Sequence, residues 1–242
     1  MNKSTIATIL GTAALGLMRK NSGSKAPLLG LEDVYTLDGI DEVREYANKS
    51  IEIRDRVSEV DLTEAGLTSF PMEVFKFKNL SDLDLRWNHI SSIPPEIGDL
   101  IYLRSLNIVH NNIDSIPPEI GNLKNLKGLY LSNNNISKIP TEIGYLGNLI
   151  RFDIGDNNLS SLPPEIGNLK SLKWFSFPRN SISKLPKEIA DLYFLGQQIY
   201  FAGNGFNMPD NETLQYWMKN MKPTLFERIM DHVEPSSELR RF

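Results

Sequence analysis

Leucines recur at Leu80, Leu103, Leu126, Leu149, Leu172 and Leu195, each 23 residues after the last. This fixed step constrains the chain more than any other feature. A catalytic core needs a different residue at each position, whereas a stack of equivalent units needs the same ones again and again. Each step carries the pattern L-x-x-L-x-L-x-x-N-x-L-x-x-L-P-x-E-I-G-x-L. An earlier, degenerate copy begins at Val57, with Val60, Leu62, Leu67, Phe70 and Pro71 in place but Ala65 where Asn should stand. That copy included, there are six clear units. A seventh, at Leu195, is distorted: Asn180 to Asn204 spans 24 residues, and the extra residue predicts a bulge in the strand region or a register adjustment where the stack meets its cap.

The pattern reads as a strand, a turn and a short helix or turn. In "LKGLYLSNN", Leu129 and Leu131 alternate with Gly128, Tyr130 and Ser132, the period of a short strand with one buried side. Stacked units pair such strands into a parallel sheet. Asn88, Asn111, Asn134, Asn157 and Asn180 fall where the chain turns off the strand, and their amides are expected to bond neighbouring backbone in a buried structural ladder. In "IPPEIGNL" proline opens the next segment, where its missing N–H costs nothing. Glu73, Glu96, Glu119, Glu142, Glu165 and Glu188 follow in its first turn, where a helix dipole favours an anion. No unit buries its own apolar face, so the units must stack, with the sheet on the inner side of the curve.

This unit, with "LPPEIGNLKSL" at 162–172, resembles the leucine-rich repeat proteins, particularly the intracellular Ras-group type of plants and animals. The match spans residues 57 to 206. The resemblance implies an α/β solenoid, with a curved parallel sheet on the concave side, short helices or turns on the convex side, and helical caps. It also implies protein–protein recognition on the concave face, with small GTPases or phosphatases as partner classes.

Five segments are expected: a hydrophobic or flexible stretch at 1–26, an N-terminal cap at 27–56, the repeats at 57–206, a helical cap at 207–234 and a tail at 235–242. In the N-terminal cap, Ile40, Val43 and Ala47 share a helical face, with Asp38 as N-cap. In the C-terminal cap, Asp210 or Asn211 opens a helix whose stripe is Leu214, Trp217, Met218 and Met221. Pro223 ends that helix, and Leu225, Phe226, Ile229, Met230 and Val233 mark a second. The apolar run from Thr5 to Met18 falls short of the about 20 residues that a membrane-spanning helix needs. Three readings of it stand: an anchor or docking helix, which makes the alternative function a structural or surface-recognition protein presenting the repeats from a membrane or particle; an export signal; and a loose or cap-packed terminus. A cytoplasmic location is expected, with membrane-associated or exported as alternatives.

Chemistry is sparse. The formal net charge of −4, without a basic stripe, argues against nucleic acid as a partner. The chain has no cysteine, which excludes disulfides and thiolate chemistry. Its three histidines lack metal-ligand spacing, and "GTAALG" lacks the Lys and Ser/Thr of a phosphate loop. Neither an enzyme nor a cofactor is expected. What remains is the outward strand face, where the protein-binding residues are expected. Glu59, Asp61, Asp82 and Asp84 form an acidic group in the early units, followed by Arg86, Trp87 and His110. Later units present Tyr130, Arg151, Asp153, Trp174 and Arg179, several of them types enriched at binding hot spots. The competing reading has Trp174 lying over the stem of Arg151 as a local cation–π contact.

Overall fold

The computed structural model of the chain describes residues 34–192 and 198–233. The apolar run Thr5–Met18 and the 235–242 tail lie outside the described residues. No helix among the described residues is long and apolar enough to cross a membrane.

Eight strands pair in chain order as one open parallel sheet. They are β1 (Tyr35–Asp38), β2 (Val57–Asp61), β3 (Asp82–Asp84), β4 (Ser105–Asn107), β5 (Gly128–Tyr130), β6 (Arg151–Asp153), β7 (Trp174–Ser176) and β8 (Ile199–Tyr200). From β2 to β7 the register advances by the repeat length, Glu59 to Asp82 to Ser105 to Gly128 to Arg151 to Trp174. The alternate positions Leu83, Leu106, Leu129, Phe152 and Phe175 point into the core and are fully buried.

Both ends differ from the sequence expectation. β1 precedes the first unit and extends the sheet, with Leu37 beside Val60 and Asp38 beside Asp61. Asp38 is therefore a strand residue, and the N-cap of α1 (Ile40–Ala47) is Gly39, at φ 104° with no side-chain cap bond. Val43, Tyr46 and Ala47 seal this end, with Tyr46 edge-on to Tyr35 at 5.7 Å. A short helix, α2 (Ile51–Arg54), leads on to β2. At the far end Phe175 pairs with Ile199 and Ser176 with Tyr200. Ile166 to Ile189 and Leu169 to Leu192 keep the ordinary step, so the extra residue falls between Leu192 and Ile199. The pairing of β8 with β7 is regular, so no bulge falls within that pairing.

The C-terminal cap is α3 (Asn211–Asn220) and α4 (Pro223–Met230). Asp210 caps α3, accepting from the Thr213 N–H at 2.8 Å. Trp217 and Met221 are buried as expected, but Met218 is exposed. Tyr216 packs partly buried on the core, its hydroxyl donating to Asp191 at 2.8 Å. On α4, Leu225 and Ile229 are buried, and Arg228 donates to the Ile199 carbonyl of the edge strand at 2.7 Å.

On the outer side the units turn through single 3₁₀ turns: Met72–Lys76, Pro95–Asp99, Pro118–Asn122, Thr141–Tyr145, Pro164–Asn168 and Lys187–Asp191. One such turn is too short to build the dipole that would favour the repeated glutamates. Those glutamates are placed by packing instead. A methyl group added at Gly98, Gly121, Gly144 or Gly167 would meet the glutamate carbonyl of the next unit at 2.7–2.9 Å. The glycine of P-x-E-I-G thus lets neighbouring outer turns meet backbone to backbone.

The asparagines join the units on the other side of the core. The Asn134 carbonyl oxygen accepts from the Ile113 N–H of the preceding unit at 2.9 Å. Its amide donates to Ile108 of that unit at 2.9 Å and to Leu131 and Ser132 of its own at 3.0 and 3.3 Å. Asn88, Asn111, Asn157 and Asn180 repeat this set, and all five are buried.

Replacing Asn134 with Ala leaves buried backbone groups in two units unpaired, and thermal or urea unfolding should show a loss of about 1–3 kcal/mol. Gly144→Ala should cost about 1–3 kcal/mol through overpacking against the Glu165 backbone. Gly147→Ala, where nothing lies within 4 Å, should stay within about 0.5 kcal/mol of the parent.

Candidate functional site

Three columns of side chains stand on the exposed face of the sheet. The middle column, Asp61, Asp84, Asn107, Tyr130, Asp153 and Ser176, follows the strand register. Four of its members serve the backbone. Asp61 accepts from the N–H of Thr63 at 2.9 Å, Asp84 from Arg86 at 3.1 Å, Asn107 from Val109 at 3.3 Å and Asp153 from Gly155 at 3.3 Å. These are local turns two residues long, so Asp61, Asp84 and Asp153 are structural groups as well as surface charges. The column changes character at Tyr130, whose ring folds back over Gly128: a methyl there would lie 2.8 Å from it.

The other acidic positions are also partnered. Glu59 accepts from the Thr36 hydroxyl at 2.9 Å, and Asp82 from Ser81 at 2.5 Å. Arg86 turns back on Asp84, its Nε within 2.9 Å of both carboxylate oxygens. Hydrogen bonding to Asp84 holds this guanidinium above its ordinary pKa. Farther along, Trp174 packs against Tyr200, with ring centroids 5.8 Å apart and tilted by 49°. Its ring partner is a tyrosine of the next strand, while Arg151 lies beside it in the register of β6 and β7. Arg151 is exposed, and among the described residues no ion pair engages it.

A further column follows the strands. Glu64, Trp87, His110, Asn133, Asp156 and Arg179 all have φ between 49° and 58°, and Gly203 continues the series at 78°. The left-handed turn lets two successive N–H groups reach the next unit: Trp87 donates to Val109 at 3.0 Å and Asn88 to His110 at 3.2 Å. Glycine, asparagine and aspartate tolerate this conformation, whereas other residues are strained by about 1–2 kcal/mol. Glu64, Trp87, His110 and Arg179 are therefore the unexpected occupants. Trp87 stacks on His110 with ring centroids 3.5 Å apart and planes within 16°. Arg179 forms a two-pronged pair with Asp156, and hydrogen bonding to that carboxylate raises its pKa. Among the described residues no group of His, Asp or Glu is arranged to hold a metal ion.

The family described as Leucine-rich repeat region matches residues 95–177, and a single Leucine Rich Repeat matches 79–100. The chain is a leucine-rich repeat protein. Those descriptions name the repeat class and not the Ras-group subtype. The chain is similar to a leucine-rich repeat protein of Leptospira interrogans, at 36% identity over 71% of this chain and 44% of that one, with a TM-score of 0.62. It is also similar to a plant peptide hormone receptor solved in complex with its ligand (32% identity, 75% and 28% covered, TM-score 0.61). A third similar structure is the ectodomain of a membrane receptor kinase from Arabidopsis thaliana in complex with Casparian strip integrity factor 2 (31% identity, 71% and 21% covered, TM-score 0.60). The chain thus spans less than half the length of each of these structures. No curated protein sequence matches it.

In this leucine-rich repeat framework the expected site residues divide into groups. Glu59, Asp61, Asp82 and Asp84 adjoin on β2 and β3, and Arg86, Trp87 and His110 gather just beyond β3 and β4. Tyr130, Arg151, Asp153 and Trp174 lie on β5 to β7, with Arg179 beyond β7. Tyr200 of β8 was missed, because the inserted residue takes it out of the 23-residue step. A second amide ladder was missed as well. Asn79, Asn125 and Asn148 donate to the carbonyls of Asp55, Ile101 and Lys124, each at 2.8 Å. Tyr102 and Ser171 interrupt that series in sequence and hide its period.

The left-handed column can be probed at Glu64, an exposed residue at φ 56°. Glu64→Gly relieves about 1–2 kcal/mol of strain against about 0.5–1 kcal/mol of added chain entropy. Its unfolding free energy should rise by about 0.5–1 kcal/mol, while the β-branched Glu64→Val should lower it, both read from denaturant midpoints.

Proposed function

We propose that this leucine-rich repeat protein is a non-catalytic interaction module that binds a partner protein on the exposed face of its sheet, the face the resemblance implies to be concave. One observation carries the reading. Tyr130, Arg151, Trp174 and Tyr200 stand on adjoining strands as large side chains outside the core, with Arg151 and Tyr200 exposed and Tyr130 and Trp174 half-buried. Tyr, Trp and Arg supply most of the energy at protein interfaces, and clustered exposed aromatics are otherwise disfavoured. Two similar structures are receptors held with their ligands, which supports a protein or peptide partner. The acidic group of β2 and β3 adds steering of a basic partner. Small GTPases and phosphatases remain the classes implied by resemblance alone. The cysteine-free composition suits a reducing, cytoplasmic setting. Fractionation tests this: full-length protein in the pellet would favour membrane association through Thr5–Met18.

With a partner recovered by crosslinked pull-down, Trp174→Ala and Arg151→Ala should each weaken binding about thirtyfold, the equivalent of about 2 kcal/mol. Neutralising Glu59, Asp61, Asp82 and Asp84 together should slow association and flatten its salt dependence. Glu119→Ala, on the outer turns, should change neither rate. Wild-type binding by Trp174→Ala together with a loss in Glu119→Ala would remove the strand face as the binding surface.

A further inference from the structure

Trp87 is half-exposed (52%) in a backbone conformation that suits glycine or asparagine, and the core makes no use of it. One face of its indole is covered by His110 of the next unit. Stacking between successive units directs the ring normal along the solenoid. The opposite face is thus turned towards the preceding unit, where Glu64 holds the same position in the left-handed column. Glu64 is exposed, and among the described residues no ion pair engages it. The neighbouring cation, Arg86, is already committed to Asp84. The result is a half-exposed aromatic surface, stiffened by a second ring behind it, with an exposed glutamate at the equivalent position one unit before it.

That combination suits a cation. A guanidinium or ammonium group over an indole is attracted by the ring's negative face, and tryptophan is the best of the aromatic residues at this. A carboxylate on the far side supplies charge-assisted hydrogen bonds to the same group, and Asp61 adds negative potential nearby, already felt at Arg86. We propose that the open face of Trp87, backed by His110 and flanked by Glu64, accepts an arginine side chain from a basic segment of the partner polypeptide. This rests on reading the strand face as protein-binding, and it assigns the early units their own anchor, separate from Trp174.

The test uses the full-length chain and N-acetyl-arginine N-methylamide as probe, observed through tryptophan indole ¹⁵N–¹H signals assigned with Trp87→Phe and Trp174→Phe. Saturable movement of the Trp87 signal is expected, with Trp174 unmoved and the effect reduced in high salt. Glu64→Gln, an exposed change that leaves the fold intact, should weaken the probe roughly threefold to fivefold. An uncharged N-acetyl-glutamine N-methylamide should produce no comparable shift. No Trp87 response, an equal response to both probes, or an unchanged response in Glu64→Gln would each overturn the proposal. A response confined to Trp174 would overturn it too, while leaving the strand-face reading standing.

Discussion

The interior units of this chain depend on one side-chain amide each. The ladder asparagine gives its carbonyl oxygen to an N–H of the preceding unit and its amide hydrogens to carbonyls of both units. Strands of three residues make too few ladder bonds to hold a sheet by themselves, and the turn that follows leaves buried backbone groups with no regular partner. The asparagine closes both gaps. It makes the joint between units polar and directional, while leucines and isoleucines on the other side of the core supply non-directional attraction. Where the joint lacks asparagine, at Ala65, the chain has moved from interior repeat to terminal unit, and β1 with α1 completes the end.

Much of this was legible because repetition amplifies weak local signals. A single L-x-L or N-x-L means little, but the same spacing in unit after unit identifies the strand, its buried side and the turn. Legibility fails where repetition stops. β1 has no asparagine and no P-x-E-I-G, and its Leu37-Asp38-Gly39 reads as a helix entrance when seen alone. Met218 looks buried from helical spacing but is exposed, and spacing cannot foresee that the Tyr216 hydroxyl finds Asp191. The candidate interaction residues were chosen by type and column, because periodicity says which positions face outward. What they do to one another was not readable. The roles of the aspartates as turn acceptors, the pairing of Trp174 with Tyr200 and the stacking of Trp87 on His110 all depend on side-chain direction.

The exposed face shows how a repeated scaffold carries individual features. Its backbone demands are the same in every unit: an acceptor near the strand end, a left-handed residue beyond it, an asparagine next. Where aspartate and asparagine fill those places, the unit meets the demand with little strain. Where Glu64, Trp87, His110 or Arg179 stand in the left-handed place, local backbone preference is overridden, and at Tyr130 a ring replaces the acceptor. Such departures are the informative positions in a repeat protein, since the scaffold itself argues against them.

The outer glycines have a consequence for how such a chain can change in length. Gly98, Gly121, Gly144 and Gly167 each meet the backbone of the next unit's glutamate, so every interior unit offers the same socket and the same plug. Any interior unit is therefore interchangeable with another as a spacer, and a duplicated or deleted 23-residue segment between Leu80 and Leu172 would find matching neighbours on both sides. The ends lack this freedom. Phe75 occupies the glycine place of the first outer turn, and Ala190 that of the last, where α3 packs against it. The molecule can grow or shrink from its middle, while its termini stay particular to their caps.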